Sequence, residues 1–252
     1  MEWWRYVVVI IVSYFLGNIS FARILSRKVL KSDITKQGSG NPGTMNMLRA
    51  YGFGAGLLTL VLDALKGTVS ALLGFFLFGG LEAGSYIDIL GLHSSSTAMM
   101  GLYIGGLSVI LGHNFPVIYK FKGGKGVACM LGVFLVSSPI CVAICFAFCF
   151  LYLYIFDYGA VASFIFISIV TFIEALKYTG ESSNLVITIL LFIMFCLTWF
   201  MHRQNIFRLL VGTENKVNLK RLLRKMYSKK EIKAEVKELK QVKKQDKTKE
   251  IG

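Results

Sequence analysis

Residues 126–156 read GVACMLGVFLVSSPICVAICFAFCFLYLYIF, 31 residues without a charge. A single helix of that length would measure about 46 Å. The hydrocarbon of a bilayer is only ~30 Å thick, so one crossing would have to tilt steeply. Ser137-Ser138-Pro139 interrupts the run, and proline lacks the N–H that a helix interior needs. The stretch therefore reads as two helices, Gly126–Val136 and Ile140–Phe156. Five further apolar segments flank it: Trp3–Ile24, Leu57–Phe78, Thr97–Leu111, Gly159–Leu176 and Leu185–Met201. The expected fold is an all-α integral membrane protein, a bundle of seven transmembrane helices. Across the 252 residues, 55% are apolar and mean hydropathy is +0.62. The runs are continuous rather than alternating, which argues against a β-barrel. The first span has an aromatic start suited to a membrane interface, and no small-residue cleavage site follows it.

Charge orients the spans. Arg27, Lys28, Lys31, Lys36 and Arg49 follow the first, and Lys120, Lys122 and Lys125 follow the third. Residues 203–252 hold 16 Lys and Arg against 6 Asp and Glu, net +10 of the chain's +14. The alternate loops, 79–96 and Ser137-Ser138-Pro139, lack Lys and Arg. Basic segments stay in the cytoplasm, which places the N-terminus outside and the C-terminus inside. Residues 1–214 form the membrane domain in this reading. Residues 215–252 form a helical, basic extension suited to an anionic lipid surface rather than to nucleic acid.

Polar chemistry is concentrated on that cytoplasmic side. Gly38-Ser39-Gly40-Asn41-Pro42-Gly43 leads through Asn46 to Arg49. Gly112-His113-Asn114-Phe115-Pro116 leads to Phe121-Lys122-Gly123-Gly124-Lys125-Gly126. Glycine-rich backbone beside Arg or Lys is the chemistry of phosphate binding, although a lone glycine loop is more often a turn. The second stretch is not a Walker loop, because the Gly-Lys-Ser/Thr ending is missing. Asp63 and Lys66 share one face of the second span and neutralise each other, as a structural ion pair or as site support. His202 and Asn205 share a face at the end of the seventh span, ahead of Arg208 and Gly212-Thr213-Glu214. The three His residues are scattered and carboxylates are few, which gives no metal-ligand spacing. Cys141, Cys145 and Cys149 recur every fourth residue as small packing groups.

These motifs, in this order, resemble the acyl-phosphate-dependent glycerol-3-phosphate acyltransferases of bacteria (the PlsY family). The resemblance is carried by Gly38 to Arg49, by Leu62-Asp63-Ala64-Leu65-Lys66-Gly67, by Gly112 to Ala128 and by His202 to Glu214, and covers roughly residues 6–215. It implies a seven-helix bundle in the bacterial plasma membrane with its active site at the cytoplasmic face. It implies transfer of an acyl group from acyl phosphate to the 1-hydroxyl of sn-glycerol 3-phosphate. The products are lysophosphatidic acid and inorganic phosphate, the first committed step of phospholipid synthesis, and no cofactor is needed. Carried over residue by residue, Ser39, Arg49, Lys125, His202 and Asn205 are the catalytic candidates. Ser163, Asn41, Asn46, Gly38, Gly40, Gly123, Gly124, Gly126 and His113 are the substrate-binding candidates. The chain departs from the pattern at Gly43-Thr44-Met45-Asn46, where a hydroxyl moves by one position. It departs also at Cys129, where Thr is usual, and at Asp157, where Arg is usual.

Acyl phosphate is a mixed anhydride and already activated. No Ser-His-Asp arrangement or reactive Cys motif accompanies it, so direct attack by the acceptor hydroxyl is expected. A transporter of organic anions would use the same basic loops, but no internal repeat or matched pair of broken helices is found. Gly101 and Gly105 form a G-x-x-x-G face that serves packing within a monomeric bundle or dimerisation alike.

Overall fold

A computed structural model describes residues 2–80, 84–88, 91–179 and 185–228. It contains two compact units, Met1–Val217 and Asn218–Gly252. The first unit is helical: α1 (Trp3–Asn18), α2 (Phe21–Ile24), α3 (Thr44–Tyr51), α4 (Phe53–Leu77), α5 (Ser96–Asn114), α6 (Val127–Ser137), α7 (Pro139–Phe156), α8 (Gly159–Leu176), α9 (Leu185–Met201) and α10 (Arg203–Leu210). A two-stranded antiparallel hairpin, β1 (Tyr86–Asp88) with β2 (Gly91–His93), departs from the all-α expectation. Of the second unit, residues 219–228 are helical. The expectation of helix through residue 252 lies otherwise outside the described residues.

Among the described residues, five helical segments are long and apolar enough to cross a membrane: Trp3–Val29, Phe53–Leu77, Ser96–Tyr119, Pro139–Phe156 and Gly159–Leu176. The pair α9 and α10, bent by 53°, makes a sixth. Helix α6 is shorter than a crossing, though apolar throughout. The stretch 126–156 is indeed two helices. The break falls at Ser138, whose dihedrals (φ −144°, ψ 60°) leave the helix, and Pro139 opens α7 where its missing N–H costs nothing.

Helix α1 ends at Asn18, and after a break at Ile19-Ser20 helix α2 carries the expected first span on to Ile24. The break leaves carbonyls without intrahelical donors, and Lys66 of α4 fills the need. Its Nζ donates to Gly17 O at 3.1 Å and Ile19 O at 2.7 Å. It also lies 2.8 Å from Asp63 Oδ1 and 2.9 Å from His113 Nδ1. Asp63 and Lys66 are 1% and 2% exposed. The pair locks α1, α4 and α5 together. His113, expected beside the substrate, is spent in this cluster. Asp63, His113 and Cys129 each offer a ligand atom within 4.8 Å of the others, a grouping hidden from sequence spacing. The Lys66 ammonium stands against two of the three, in the place a cation would take.

Small residues let the helices touch. A Cβ on Gly74 would strike Gly101 O, one on Gly105 would strike Ser70 O, and one on Gly132 would strike Ala64 O. Lipid tails are as apolar as leucine, so close backbone packing rather than water exclusion holds such helices together. The Gly101 and Gly105 face is used inside the bundle, against α4. Large apolar groups such as Ile144, Phe148, Phe172 and Phe192 point outward, as the hydrocarbon requires. A second buried polar group secures the α6–α7 break. Glu174 of α8 accepts from Tyr103 and Ser138, and Lys177 donates to Ser137 O at 3.1 Å and Ser138 Oγ at 2.6 Å.

Candidate active site

The first glycine loop is held from within. Gly38 and Gly40 take left-handed dihedrals (φ 53° and 71°), which glycine adopts without strain. Asn46 is buried and braces the loop: its Oδ1 accepts from Ser39 N at 3.0 Å, and its Nδ2 donates to Ile34 O at 3.3 Å and Gln37 O at 2.9 Å. Gly40 N donates to Gln37 O at 2.9 Å. Asp33 fixes the approach by accepting from Thr35 and Arg27, and these bonds hold its carboxyl down at about 2. The loop runs into α3, which carries Arg49.

The second loop folds back on α5. Gly123 N donates to Asn114 O at 3.1 Å and Gly124 N to His113 O at 3.0 Å. A Cβ on Gly123 would strike the His113 carbonyl, and one on Gly124 would strike the His113 ring. Arg23 straps the loop from outside, donating to Lys122 O at 2.6 Å and stacking on Tyr119 at 4.5 Å. Gly126, at φ 84°, then turns the chain into α6. The glycines are therefore there for close approach. The expectation that Gly40, Gly123 and Gly124 offer bare N–H groups to phosphate is corrected, because those groups are spent inside the protein. The first turn of α6, whose N–H groups lack intrahelical acceptors, begins immediately after Lys125.

The third motif meets Lys125 because the chain bends at His202, between α9 and α10. Asn205, on the first turn of α10, accepts from Lys125 Nζ through Oδ1 and donates from Nδ2 to Glu214 Oε1 at 2.8 Å. Arg208 Nε donates to Glu214 Oε2 at 2.9 Å. Arg49 Nη2 reaches Asn215 O at 2.8 Å, while its Nε is buried without a partner among the described residues. Lys125 is pushed down to about 8, first by burial, then by the charges of Arg208 and Arg49, with Glu214 opposing. Three cations thus share one carboxylate. His202 is buried against Phe164, ring centroids 5.1 Å apart, with Nδ1 2.8 Å from Thr198 O. A carbonyl only accepts, so Nδ1 carries the hydrogen in the neutral ring and Nε2 keeps a lone pair. Such a cluster, with excess positive charge beside an apolar bundle, fits a ligand with a phosphate head and a hydrocarbon tail.

Residues 7–212 match the model of the family described as glycerol-3-phosphate acyltransferase. The chain belongs to the glycerol-3-phosphate acyltransferase family. A relative from Thermoanaerobacter pseudethanolicus is 35% identical over 214 residues, covering 85% of this chain and 96% of its own. One from Bacillus anthracis, glycerol-3-phosphate acyltransferase 2, is 37% identical over 211 residues, covering 84% and 98%. The chain also resembles the crystal structure of PlsY (YgiH), an integral membrane glycerol 3-phosphate acyltransferase. Its glycerol 3-phosphate form aligns with TM-score 0.69 at 31% identity, covering 86% of this chain and 98% of that one. Its lysophosphatidic acid form aligns with TM-score 0.66.

Against this family membership, the candidates divide. The acyltransferase brings Arg49, Lys125, His202 and Asn205 into one electrostatic neighbourhood. The Ser39 hydroxyl and Asn41 amide make no hydrogen bond among the described residues, so both remain available on the first loop. Ser163 returns its hydroxyl to Gly159 O at 2.9 Å within α8. Asn46 and His113 are braces. Glu214 and Arg208 were not among the residues singled out for the site, although Glu214 is its hub. The sequence marks Glu214 only as the one acidic residue among Arg203, Arg208, Lys216 and Lys220; its burial, which demands pairing, comes from the fold.

Proposed function

We propose that this acyltransferase moves an acyl group from acyl phosphate to the 1-hydroxyl of sn-glycerol 3-phosphate at the cytoplasmic face of the bacterial plasma membrane. The hydroxyl oxygen bonds to the acyl carbon, the bond from that carbon to the phosphate oxygen breaks, and inorganic phosphate leaves with its electron pair. Arg49, Lys125 and Arg208 hold the two phosphates and the charge that develops on the leaving one. Side-by-side binding makes the attack intramolecular in effect. The hydroxyl proton passes to the lone pair of His202 Nε2 or to a substrate phosphate. The acyl chain lies among the apolar helices, and the substrates meet at Lys125.

Seven crossings, N-terminus outside, suit this reading. Helix α6 lies against α5: Gly126 packs against Ile110 and Asn114, and Gly106 packs against Val133. The observation that carries the proposal is the joining of Lys125, Asn205, Glu214 and Arg208 from two motifs 80 residues apart, with Arg49 beside them. Phosphate release from acyl phosphate by the purified protein tests it. Release is expected only with glycerol 3-phosphate present. An acyl group covalently trapped on the protein from acyl phosphate alone would overturn direct transfer, and flux of glycerol 3-phosphate into proteoliposomes without phosphate release would overturn the reaction.

A further inference from the structure

Residues 213–252 lie outside the family match, which ends at 212. The first stretch of this extension is pinned. Asn215 O takes the Arg49 guanidinium at 2.8 Å, Lys216 Nζ lies 5.5 Å over the Tyr158 ring, and Val217 N donates to Asp157 O at 2.9 Å. The helix over residues 219–228 begins two residues later. At 100° per residue, Leu219, Leu222, Leu223 and Met226 fall on one side of it. Leu219 is buried and the other three are half-buried, so the stripe is incompletely covered. Lys220, Arg221, Arg224 and Lys225 fall on the opposite side, and all are exposed. No acidic residue occurs between 215 and 230.

A narrow apolar stripe under a dense basic face is the pattern of a helix that lies in a bilayer interface. We propose that this extension is an anionic-lipid-binding element, with the 219–228 helix lying flat in the headgroup layer and its cations on lipid phosphates. The occupant is the charged bilayer surface. The proposal rests on the membrane placement of the bundle, and none of it depends on the reaction.

Tryptic cleavage of the full-length protein in lipid nanodiscs tests it, since Lys220, Arg221, Arg224 and Lys225 are themselves the cutting sites. Nanodiscs of phosphatidylcholine alone are compared with nanodiscs holding roughly a third phosphatidylglycerol. Cleavage in the 220–225 region is expected to slow about tenfold in the anionic discs. The protection should vanish in roughly 1 M salt, where the Debye length is only ~3 Å. Leu222→Asp keeps every cutting site but breaks the apolar stripe, and should be cut at the same rate in both lipids. Equal rates for the unchanged protein would overturn the proposal, and so would full protection of Leu222→Asp. Protection by an added RNA oligonucleotide in neutral discs, with none from anionic lipid, would overturn it in favour of a nucleic-acid site. No acyl transfer enters the readout, so failure here and failure of the reaction are told apart.

Discussion

Lys125 stands in a conflict that decides its role. Burial and two nearby guanidinium groups lower its ammonium to about 8, yet a phosphate ligand rewards the charged form. Below about 8 the free enzyme holds the proton and binds anions. Above it, the amine is neutral and binding weakens. The KM for glycerol 3-phosphate is therefore expected to climb as pH rises through about 8, as a KM-against-pH series will show. Lys125→Ala should lower kcat/KM by roughly 100-fold to 1,000-fold. The same substitution should not lower the apparent Tm of the unliganded protein, because a repelled, half-dehydrated cation is removed. Asn114 makes a separate case. It is 0% exposed, with neither amide atom partnered among the described residues. Asn114→Leu should raise stability by about 1 kcal/mol or more, read as a higher Tm in detergent.

Helices in this protein are fixed by polar pins at their broken ends and by glycines at their crossings. Lys66 supplies the end of α1, and Lys177 with Glu174 supplies the α6–α7 break. Removing one member of a buried pair strands the other, which costs about 3–5 kcal/mol. Lys66→Met is expected to destabilise by that amount in thermal unfolding, and Asp63→Asn in the same chain should restore part of it. If Lys66 instead served only the substrate, the Tm would not move. At the α4–α6 crossing, any side chain on Gly132 must displace the Ala64 carbonyl. Gly132→Leu should cost at least about 2 kcal/mol and lower Tm without changing the pH dependence of whatever activity survives.

The unit Met1–Val217 is an apolar helical bundle in which Arg49, Lys125 and Arg208 gather around Glu214. All groups of that cluster lie at or before Asn215, so ending the chain after Val217 should leave kcat/KM in detergent within about twofold. Sequence alone determined the membrane class, because long uncharged runs have few other uses. It determined most helix limits, because Pro139 and the charged loops punctuate those runs. It also named Arg49, Lys125, His202 and Asn205 as candidates from local motifs, and the fold brings them into one neighbourhood. What the glycines do was not legible: a Gly-rich stretch looks the same whether its N–H groups face a phosphate or the His113 carbonyl. Nor was the break after α1 legible, since Asn18-Ile19-Ser20 leaves the helix where Lys66, 47 residues away from Ile19, donates to the freed carbonyls. The tertiary structure alone made Glu214 the hub of the cluster and spent His113 on the core. Hydropathy and helix breaks are properties of neighbouring residues and survive in one dimension. The pairing of buried charges depends on which helices cross, and that exists only in three.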